Sequence, residues 1–336
     1  MRAPDFWNET PGPLGGLVAG LLTPVGVVVD AAGRLRRAVA RPYRAPVPVI
    51  CVGNLVAGGS GKTPVALSLA AILARRGATA IVMRGYGGRL VGPVQVDPQI
   101  HDAEAVGDEA LLAAARAPCW VAHDRAAGVR AAVEGGARAV VLDDGFQNPH
   151  VAKDLSLVVV DAAYGFGNGR LIPAGPLRER ITVGLARADG IVLIGDGEPE
   201  LSELAAMDRP MLRATLDPIE AGRLTGAQIV AFAGIGRPEK FFATLRSLGA
   251  QIVAERGFPD HHRYRDAELA ALRRDAASAG AMLVTTAKDW VRLPPTERAG
   301  IAVLDVELHW RDEGTLDALL APLFERIGDG RHAARA

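Results

Sequence analysis

Cysteine is almost absent from this sequence of 336 residues, since only Cys51 and Cys119 occur, each within a short apolar run. Two isolated cysteines form neither a disulfide framework nor a cysteine-based metal site, which fits a reducing compartment. An excess of either charge is missing too, because 38 Lys and Arg residues balance 38 Asp and Glu residues. We therefore expect no bulk electrostatic attraction to nucleic acid, and no nucleic-acid partner.

Charged residues are also absent between Glu9 and Asp30, where residues 14–29 are strongly apolar. The length of this segment permits a membrane-spanning helix, but four glycines and Pro24 weaken that interpretation. A signal peptide would begin with basic residues, whereas this segment is preceded by Asp5 and Glu9. A helix that lies in the membrane interface and a helix buried against the protein are the two remaining interpretations.

A cluster of arginines follows the apolar segment, with no acidic residue among them. The arginines are Arg34, Arg36, Arg37, Arg41 and Arg44. Positive charge beside an apolar segment suits the anionic lipids of a cytoplasmic leaflet, although solvated arginines beyond a buried helix would give the same pattern. We predict that residues 1–45 form a hydrophobic, membrane-contacting segment with a basic linker.

A strand, a glycine-rich loop and a helix are predicted next, over residues 47–76. Residues 47–52 are apolar and β-branched, as in a buried parallel strand, and apolar residues recur at helical spacing from Ala66 to Leu73. Between them lies GNLVAGGSGKT, which has the order of a phosphate-binding P-loop, in which Lys62 reaches the β- and γ-phosphates and Thr63 holds Mg²⁺. An ordinary strand-to-helix turn is the alternative, because Val56 stands where the usual pattern has its first glycine.

The residues predicted to surround the phosphates in this loop are Val56, Ala57, Gly58, Gly59, Ser60, Gly61, Lys62 and Thr63.

Charged residues follow three further predicted elements. The apolar strand 139–142 ends in Asp143 and Asp144, and an acid at this position organises Mg²⁺ in nucleotide hydrolases and kinases. The strand 80–83 ends in Arg84, which could bind phosphate or be solvated. Asp108 and Glu109 open a helix, where capping alone explains acidic residues.

The second half of the chain predicts a smaller α/β unit. A glycine- and proline-rich segment at 167–179 has the composition of a functional loop, and the pattern loosens near residues 216–225. Strands and helices then alternate up to residue 285. His261 and His262 lie in a loop of this unit, as metal ligands, a catalytic base or polar loop residues, but no third metal ligand has suitable spacing.

The predicted fold is therefore an α/β fold with a mostly parallel, P-loop NTPase-like sheet and helices on both faces. A hydrophobic N-terminal helix precedes this sheet, and a second, smaller α/β domain follows it. We predict a membrane-contacting segment at 1–45, a P-loop kinase domain at 46–220, the smaller domain at 221–325 and a tail at 326–336.

Seven motifs, taken together and in order, resemble the tetraacyldisaccharide 4′-kinase family, the lipid A 4′-kinases of Gram-negative bacteria. The motifs are GNLVAGGSGKT, RGYGG, GDE, DDGFQ, NGRLIPAGPLRE, FPDHH and TTAKD. The resemblance extends over residues 6–308, and DDGFQ, PAGPLRE and F-x-D-H are more specific than the P-loop. The family's loop also lacks the glycine that Val56 replaces.

This resemblance implies transfer of the γ-phosphate of ATP to the 4′-hydroxyl of a tetraacyl disaccharide 1-phosphate, giving lipid IV-A. It implies ATP as a substrate and Mg²⁺ as a cofactor. It also implies that the N-terminal segment anchors the enzyme at the cytoplasmic face of the inner membrane, as a peripheral or monotopic protein in contact with the lipid bilayer. No protein partner is indicated.

The resemblance also assigns roles to individual residues. Asp108 is implied as the catalytic base, with His261 as the partner that orients it or tunes its pKa and His262 as the competing histidine. Asp143 and Asp144 are implied to serve Mg²⁺ and the phosphoryl site, with the division of roles between them left open. Two cations, Arg84 and Arg178, would hold phosphates or the acidic substrate.

Because Lys62 and His261 lie in different predicted domains, we expect the active site in the cleft between them. The smaller domain is expected to close over this cleft when ATP binds and to exclude water from it.

Two other classes of protein share part of this pattern. A P-loop GTPase or metal-chaperone ATPase would have Lys62, Thr63 and Asp143, but would also need a guanine motif or clustered Cys and His residues. A non-enzymatic, membrane-associated nucleotide-binding protein would have the apolar segment and the P-loop, but would give no role to Asp108 and His261.

The N-terminal segment can be tested by truncation. Removal of the residues before Arg34 is expected to weaken membrane association and to leave ATP binding intact, because the apolar segment and the P-loop are separate in the sequence. Vesicle sedimentation and nucleotide-binding titration measure the two properties. If the truncated protein still sediments with vesicles, the membrane anchor lies elsewhere.

Overall fold

A computed structural model of the chain describes residues 4–8, 12–197, 208–219 and 221–333. The described strands form two sheets, a larger and a smaller one. The strands are β1 (Val49–Gly53), β2 (Thr79–Met83), β3 (Val94–Gln95), β4 (Cys119–Val121), β5 (Ala139–Asp143), β6 (Leu155–Asp161), β7 (Gly190–Ile194), β8 (Met211–Pro218), β9 (Gln228–Ala233), β10 (Gln251–Gly257), β11 (Met282–Thr286), β12 (Ile301–Leu304) and β13 (Val306–Trp310).

Helices connect and cover these strands. The described α-helices are α1 (Pro13–Val39), α2 (Lys62–Ala74), α3 (Ala103–Val106), α4 (Asp108–Ala114), α5 (Arg125–Glu134), α6 (Ile181–Leu185), α7 (Pro238–Ser247), α8 (Asp266–Ser278), α9 (Ala287–Trp290) and α10 (Glu313–Ala333). Short 3₁₀ helices lie at Asp5–Trp7, Ala221–Leu224 and Pro295–Glu297.

The larger sheet has the strand order β13-β8-β7-β6-β1-β5-β2-β4-β3. Its strands are parallel except at the two edges, where β13 and β3 each pair antiparallel with their neighbour. The P-loop strand β1 therefore lies between β6 and β5. Because the strands are parallel, the ends of β1, β5 and β6 meet at one edge of the sheet, where ligands bind in open α/β sheets.

Both faces of the larger sheet are covered, which explains why β1 is buried along its whole length. Ile50 packs on one face in the same core as Leu69 of α2 and Leu320 of α10. Cys51 packs on the other face, with Val129 of α5. The predicted mostly parallel sheet with helices on both faces is confirmed.

The smaller sheet has the order β10-β9-β11-β12, and all of its strands are parallel. Phe241 and Leu245 of α7 pack in the core on one face, and Leu269 and Leu272 of α8 pack in the core on the other. We name residues 221–304 the small lobe. The large lobe comprises residues 46–197, 208–219 and 306–327.

The chain returns to the large lobe after β12, in contrast to the predicted second domain at 221–325. Strand β13 pairs with β8 in the larger sheet, and the buried residues of α10 belong to the core of the large lobe. The predicted end at 325 therefore lies too far along the chain, and the predicted tail at 326–336 begins inside α10. Residues 1–3 and 334–336, the ends of the predicted N-terminal segment and tail, lie outside the described residues.

The two crossings between the lobes run side by side. The Ile219 N–H donates to the carbonyl of Asp305 over 2.9 Å, and Val306 pairs with Pro218 in the sheet. The small lobe is thus an insertion between two neighbouring strands at one edge of the larger sheet.

The N-terminal helix α1 is one continuous helix of 27 residues that includes Pro24. It is long and apolar enough to cross a membrane, and 17% of its most apolar stretch is buried against the rest of the protein. Its exposed apolar residues include Leu14, Leu17, Leu21, Val25 and Val28. The predicted apolar N-terminal helix is confirmed, and most of its surface is free of contact with the lobes.

The assignment of α10 to the large lobe can be tested with Leu320, which is fully buried. Leu320→Ala should lower the free energy of unfolding by about 2–5 kcal/mol, because it removes buried apolar atoms and leaves a cavity. The exposed Asp317 of the same helix provides the control, and Asp317→Ala should change stability by less than about 0.5 kcal/mol. Urea unfolding of both variants measures the difference, and equal effects would contradict the assignment.

Candidate active site

The P-loop joins β1 to α2 and contains two glycines with positive φ, Gly58 at 120° and Gly61 at 84°. A Cβ on Gly61 would lie 2.5 Å from Ile194 Cδ1, so both the backbone angle and the neighbouring side chain require glycine there. Because α2 begins at Lys62, its N-terminal N–H groups face the loop, where an anion is stabilised.

Val56 has a structural reason to replace the first glycine of the usual pattern. Its side chain is buried in the core, and its backbone forms an antiparallel bridge with Leu177. The neighbouring Ala57 N–H donates to the Pro176 carbonyl, and the Arg178 N–H donates to the Leu55 carbonyl, both over 2.8 Å. The P-loop is thereby joined to the glycine- and proline-rich loop 167–179.

Asp144 contacts two cations beside the P-loop. It accepts hydrogen bonds from Arg178 Nη1 and Nη2 over 2.8 and 3.1 Å, and Lys62 Nζ lies 3.9 Å from its Oδ1. Although burial acts to raise the pKa of Asp144, the charges of Lys62 and Arg178 hold it below its ordinary value. Burial in turn lowers the pKa of Lys62, against the attraction of Asp144. The φ of Asp144 is +54°, a strained conformation that the two cations help to maintain.

Asp143 and Thr63 form a second pair, in which Thr63 Oγ1 donates to Asp143 Oδ2 over 2.8 Å. The other carboxylate oxygen of Asp143, Oδ1, is buried and has no hydrogen-bond partner among the described residues. Burial, together with the charge of Glu109, raises the pKa of Asp143 to about 7. A buried, unsatisfied carboxylate oxygen beside a threonine hydroxyl is the donor set that a P-loop protein uses for a divalent cation.

Two further arginines lie near these carboxylates. Arg84 is exposed at the end of β2 and makes no hydrogen bond or ion pair within the described part of the chain. Arg125, which the sequence analysis missed, is buried at the start of α5 and donates to the Ala122 carbonyl over 2.6 Å. Burial lowers the pKa of Arg125 to about 10, against the attraction of Asp144.

Asp108 and His261 meet across the boundary between the lobes, with His261 Nδ1 3.0 Å from Asp108 Oδ2. Asp108 is the first residue of α4, and within the described part of the chain its carboxylate accepts one N–H of this helix, that of Glu109 at Oδ1 over 2.9 Å. Its carboxylate is 4% exposed, whereas the His261 side chain is 31% exposed. Capping is therefore not the main role of Asp108.

The structure separates the two neighbouring histidines. His262 stacks on Phe258 with a centroid separation of 4.7 Å, and its Nε2 lies 3.0 Å from Glu268 Oε2. His261 has a φ of +58°, which turns its side chain towards Asp108 instead. Of the two, only His261 takes part in the pair between the lobes.

The TTAKD motif supplies contacts that the sequence analysis did not foresee. Lys288 Nζ lies 3.2 Å from Glu109 Oε1, and Arg292, just after the motif, donates through Nε to Asp108 Oδ2 over 2.6 Å. In the sequence, TTAKD is one of the seven motifs that carry the family resemblance, and no role in the site was predicted for its residues. No local pattern distinguishes Arg292 from the other arginines.

A second set of contacts joins the lobes beside the P-loop. Arg237 of the small lobe donates to the carboxylate of Asp161, at the end of β6, and to the Gly59 carbonyl over 3.3 Å. Lys240 donates to the same carboxylate over 2.9 Å. The small lobe thus contacts the large lobe on two sides of the cleft.

The N-terminal helix is attached to the loop that carries Arg178. Glu179, fully buried, accepts from Arg187 over 2.5 Å and lies 3.4 Å from Arg37 of α1. Arg180 lies 3.3 Å from the buried Asp30 of α1. Successive residues of one loop therefore contact the phosphate site and the N-terminal helix.

A P-loop, a Thr–Asp pair at the end of the adjacent strand, and a His–Asp pair formed across the boundary with a second lobe are the parts of a P-loop kinase. Their arrangement can bind a nucleotide triphosphate at α2 and take a proton from an acceptor hydroxyl in the cleft.

Comparison with known proteins identifies the kinase family. The family model for tetraacyldisaccharide-1-P 4′-kinase matches residues 18–325. The tetraacyldisaccharide 4′-kinase of Rhodospirillum centenum is 55% identical over 332 residues, which cover 98% of each chain. That of Rhodospirillum rubrum is 52% identical over 328 residues, which cover 95% of this chain and 97% of the relative. The chain belongs to the tetraacyldisaccharide 4′-kinase family.

A solved structure is similar as well, the "apo" form of LpxK from Aquifex aeolicus in complex with ATP. It is 26% identical, with a TM-score of 0.75, and the similarity covers 91% of this chain and 99% of the other. The resemblance inferred from the seven motifs is confirmed, and the chain is a kinase of lipid A biosynthesis. The GTPase, metal-chaperone and non-enzymatic alternatives are excluded by this membership.

The two histidines give a direct test of the site. His261→Ala should lower kcat by about 10²–10⁴-fold, the contribution of a positioned acid–base group, and leave the KM for ATP within about twofold. His262→Ala should lower stability through loss of the Glu268 contact and keep kcat within about threefold. Steady-state kinetics of both variants measure the effects. The reverse ranking would contradict the assignment of His261 to the site.

Proposed function

We propose that the two lobes together transfer the γ-phosphate of ATP to the 4′-hydroxyl of a tetraacyl disaccharide 1-phosphate, giving lipid IV-A. The observation that carries this proposal is the pairing of His261 with Asp108 across the lobe boundary, on the same strand-end edge as the P-loop. A P-loop alone would serve any nucleotide hydrolase, whereas a proton acceptor held by a second lobe is what a hydroxyl acceptor requires.

The donor nucleotide is proposed to bind with its phosphates at the start of α2. The N–H groups of the loop between Val56 and Thr63 and the ammonium of Lys62 would bind the phosphate oxygens. Arg178 lies beside Lys62 through their shared partner Asp144, and the exposed Arg84 adds a cation with no competing partner among the described residues. Together these cations would neutralise the charge that spreads over the transferred phosphoryl oxygens.

Mg²⁺ is proposed to be held by Thr63 and Asp143. The unsatisfied, buried Oδ1 of Asp143 supports this assignment, because a buried carboxylate oxygen without a partner is costly unless a cation binds it. Bound there, the ion would neutralise β- and γ-phosphate oxygens. Asp144 is proposed to hold Lys62 and Arg178 at the phosphoryl site instead, since both cations already contact it.

His261 is proposed as the group that takes the proton from the acceptor hydroxyl, with Asp108 as its partner. This exchanges the two roles that the family resemblance implied. Burial alone would raise the pKa of Asp108, but the hydrogen bond from His261 and the charges of Lys288 and Arg292 hold it well below its ordinary range. A carboxylate of such low basicity is a poor proton acceptor.

The environment of His261 supports the same division of roles. If its Nδ1–H donates to Asp108, then Nε2 is left as the acceptor; it lies 3.7 Å from Asp260 Oδ2, beyond hydrogen-bond distance, and makes no hydrogen bond to the described residues. The more exposed His261 side chain would face the substrate, while the buried carboxylate fixes the tautomer and stabilises the imidazolium that forms. The proton would thus move from the 4′-hydroxyl to Nε2 as the phosphoryl group is transferred.

The lipid is proposed to approach from the side of α1. A cavity of about 280 Å³ lies between α1 and the loop 167–179, lined by Thr23 and Val27 of the helix and by Arg170 and Arg180. Apolar walls with two arginines suit a phosphorylated, acylated ligand. The exposed apolar side of α1 and the arginines at its C-terminal end and just beyond it support an interfacial anchor at the cytoplasmic face of the inner membrane.

Closure of the small lobe over the cleft is part of the proposal. The contacts of Asp108 with His261 and of Asp161 with Arg237 and Lys240 would hold the closed arrangement and keep water from the phosphoryl group.

The transfer can be measured directly. Full-length protein with Mg²⁺, γ-labelled ATP and tetraacyl disaccharide 1-phosphate in detergent micelles should give a labelled lipid. The same lipid carrying a phosphate on its 4′-oxygen is the matched control and should take up no label. Label released only as inorganic phosphate, with none in the lipid, would contradict the proposed acceptor.

A further inference from the structure

Arg292 makes the most extensive contacts of any cation at the lobe boundary. Its Nε donates to Asp108 Oδ2 over 2.6 Å, and its Nη2 lies 2.5 Å from the same oxygen. Its Nη1 donates to the Gly234 carbonyl over 2.6 Å and to Asp289 Oδ1 over 2.9 Å. The Arg292 side chain is 4% exposed, so these contacts are made away from water.

We propose that Arg292 is a positioning residue for the reaction, which binds Asp108 to the small lobe and thereby orients His261. This inference rests on the proposed role of His261 as proton acceptor. Arg292 would not contact the lipid or the nucleotide. It would act through Asp108, whose carboxylate it holds in place and in the ionised form.

The far end of Arg292 is fixed by a buried polar network. Asp289 is fully buried and accepts hydrogen bonds from the Tyr264 hydroxyl over 2.8 Å and from the Gly234 N–H over 2.9 Å. It also pairs with Thr286, whose hydroxyl lies 2.6 Å from Asp289 Oδ2. Because the guanidinium is planar and rigid, fixing Nη1 on Asp289 also fixes the direction of the edge that meets Asp108.

A single carbonyl links Arg292 to the position of His261. The Gly234 oxygen accepts from Arg292 Nη1 and from the His261 N–H over 3.1 Å. The same carbonyl of the small lobe therefore positions both the backbone of His261 and the guanidinium that holds Asp108. A side chain at Gly234 would be crowded, since a Cβ there would lie 3.0 Å from His262 Cβ and 3.1 Å from Asp289 Oδ1.

The charge of Arg292 is needed as well as its shape. Without Arg292, the hydrogen bond from His261 and the charge of Lys288 alone would oppose the effect of burial, which favours the protonated form of Asp108. A protonated Asp108 would donate to His261 Nδ1, the hydrogen of the imidazole would move to Nε2, and Nε2 could no longer accept the substrate proton. By keeping Asp108 ionised, Arg292 would select the tautomer that the reaction requires.

The test compares kcat with KM in the full-length enzyme with ATP and lipid substrate. Arg292→Met should lower kcat by at least about tenfold and leave the KM for ATP within about twofold, because the nucleotide site is untouched. Arg292→Lys should recover part of kcat, since it restores the charge without the two-pronged geometry.

Coupling to Asp108 separates positioning from a general structural effect. In the Asp108→Asn background, Arg292→Met should cause little further loss of kcat, because the carboxylate on which Arg292 acts is gone. Independent losses that multiply in the double variant would overturn the proposal.

Arg298 provides a matched control in the same segment. Its guanidinium lies over the Trp290 ring at 4.3 Å and donates to the Val291 and Leu293 carbonyls, without contact to Asp108. Arg298→Met should lower the midpoint of thermal unfolding but keep kcat within about twofold. An equal loss of kcat in this variant would show that any lost arginine in the segment disturbs the site, and would overturn the proposal.

Folding is monitored by thermal unfolding and ATP binding of each variant. If Arg292→Met folds and has wild-type kcat, the inference is overturned. If Arg292→Met does not fold, Arg292→Lys carries the test, and wild-type kcat in that variant would overturn the inference. Wild-type kcat in His261→Ala would instead contradict the proposed function itself, so the two failures are distinguishable.

Discussion

The arrangement of this enzyme depends on one buried carboxylate. Asp108 belongs to the large lobe, but its partners His261 and Arg292 belong to the small lobe. A buried carboxylate is stable only when its partners are present. The small lobe therefore does more than cover the cleft. It supplies the partners without which the ionised, buried carboxylate of Asp108 would be unfavourable. The pair of Asp108 and His261, proposed above to accept the proton, forms only where the two lobes meet.

Most of the larger sheet could be predicted from local patterns, because short apolar runs between helices define buried parallel strands. The return of the chain to this sheet could not. Strand β13 lies at an edge with partly exposed residues, and it pairs with β8, from which an entire lobe separates it in sequence. Pairing at that distance leaves no local signal, and so the second domain was predicted to continue to residue 325.

The parts of the site that could be predicted follow strand ends or known motifs, as Lys62, Thr63 and Asp143 do. The choice between His261 and His262 depended on a single backbone angle, which two adjacent identical residues do not reveal. Arg292 left no signal at all, because its partner lies 184 positions away along the chain and in the other lobe. Long side chains that bridge lobes depend on tertiary geometry, which no spacing in the sequence encodes.

The loop that carries Arg178 has a consequence for the orientation that the enzyme would take on a membrane. Arg178 contacts Asp144 at the phosphate site, while Glu179 and Arg180 contact Arg37 and Asp30, seven residues apart on α1. Two attachments about 10 Å apart along a helix axis fix its tilt as well as its position. If lipid holds α1 as proposed, the depth of this helix would set the height of the phosphate donor above the bilayer, and the enzyme would work at a constant distance from the membrane plane.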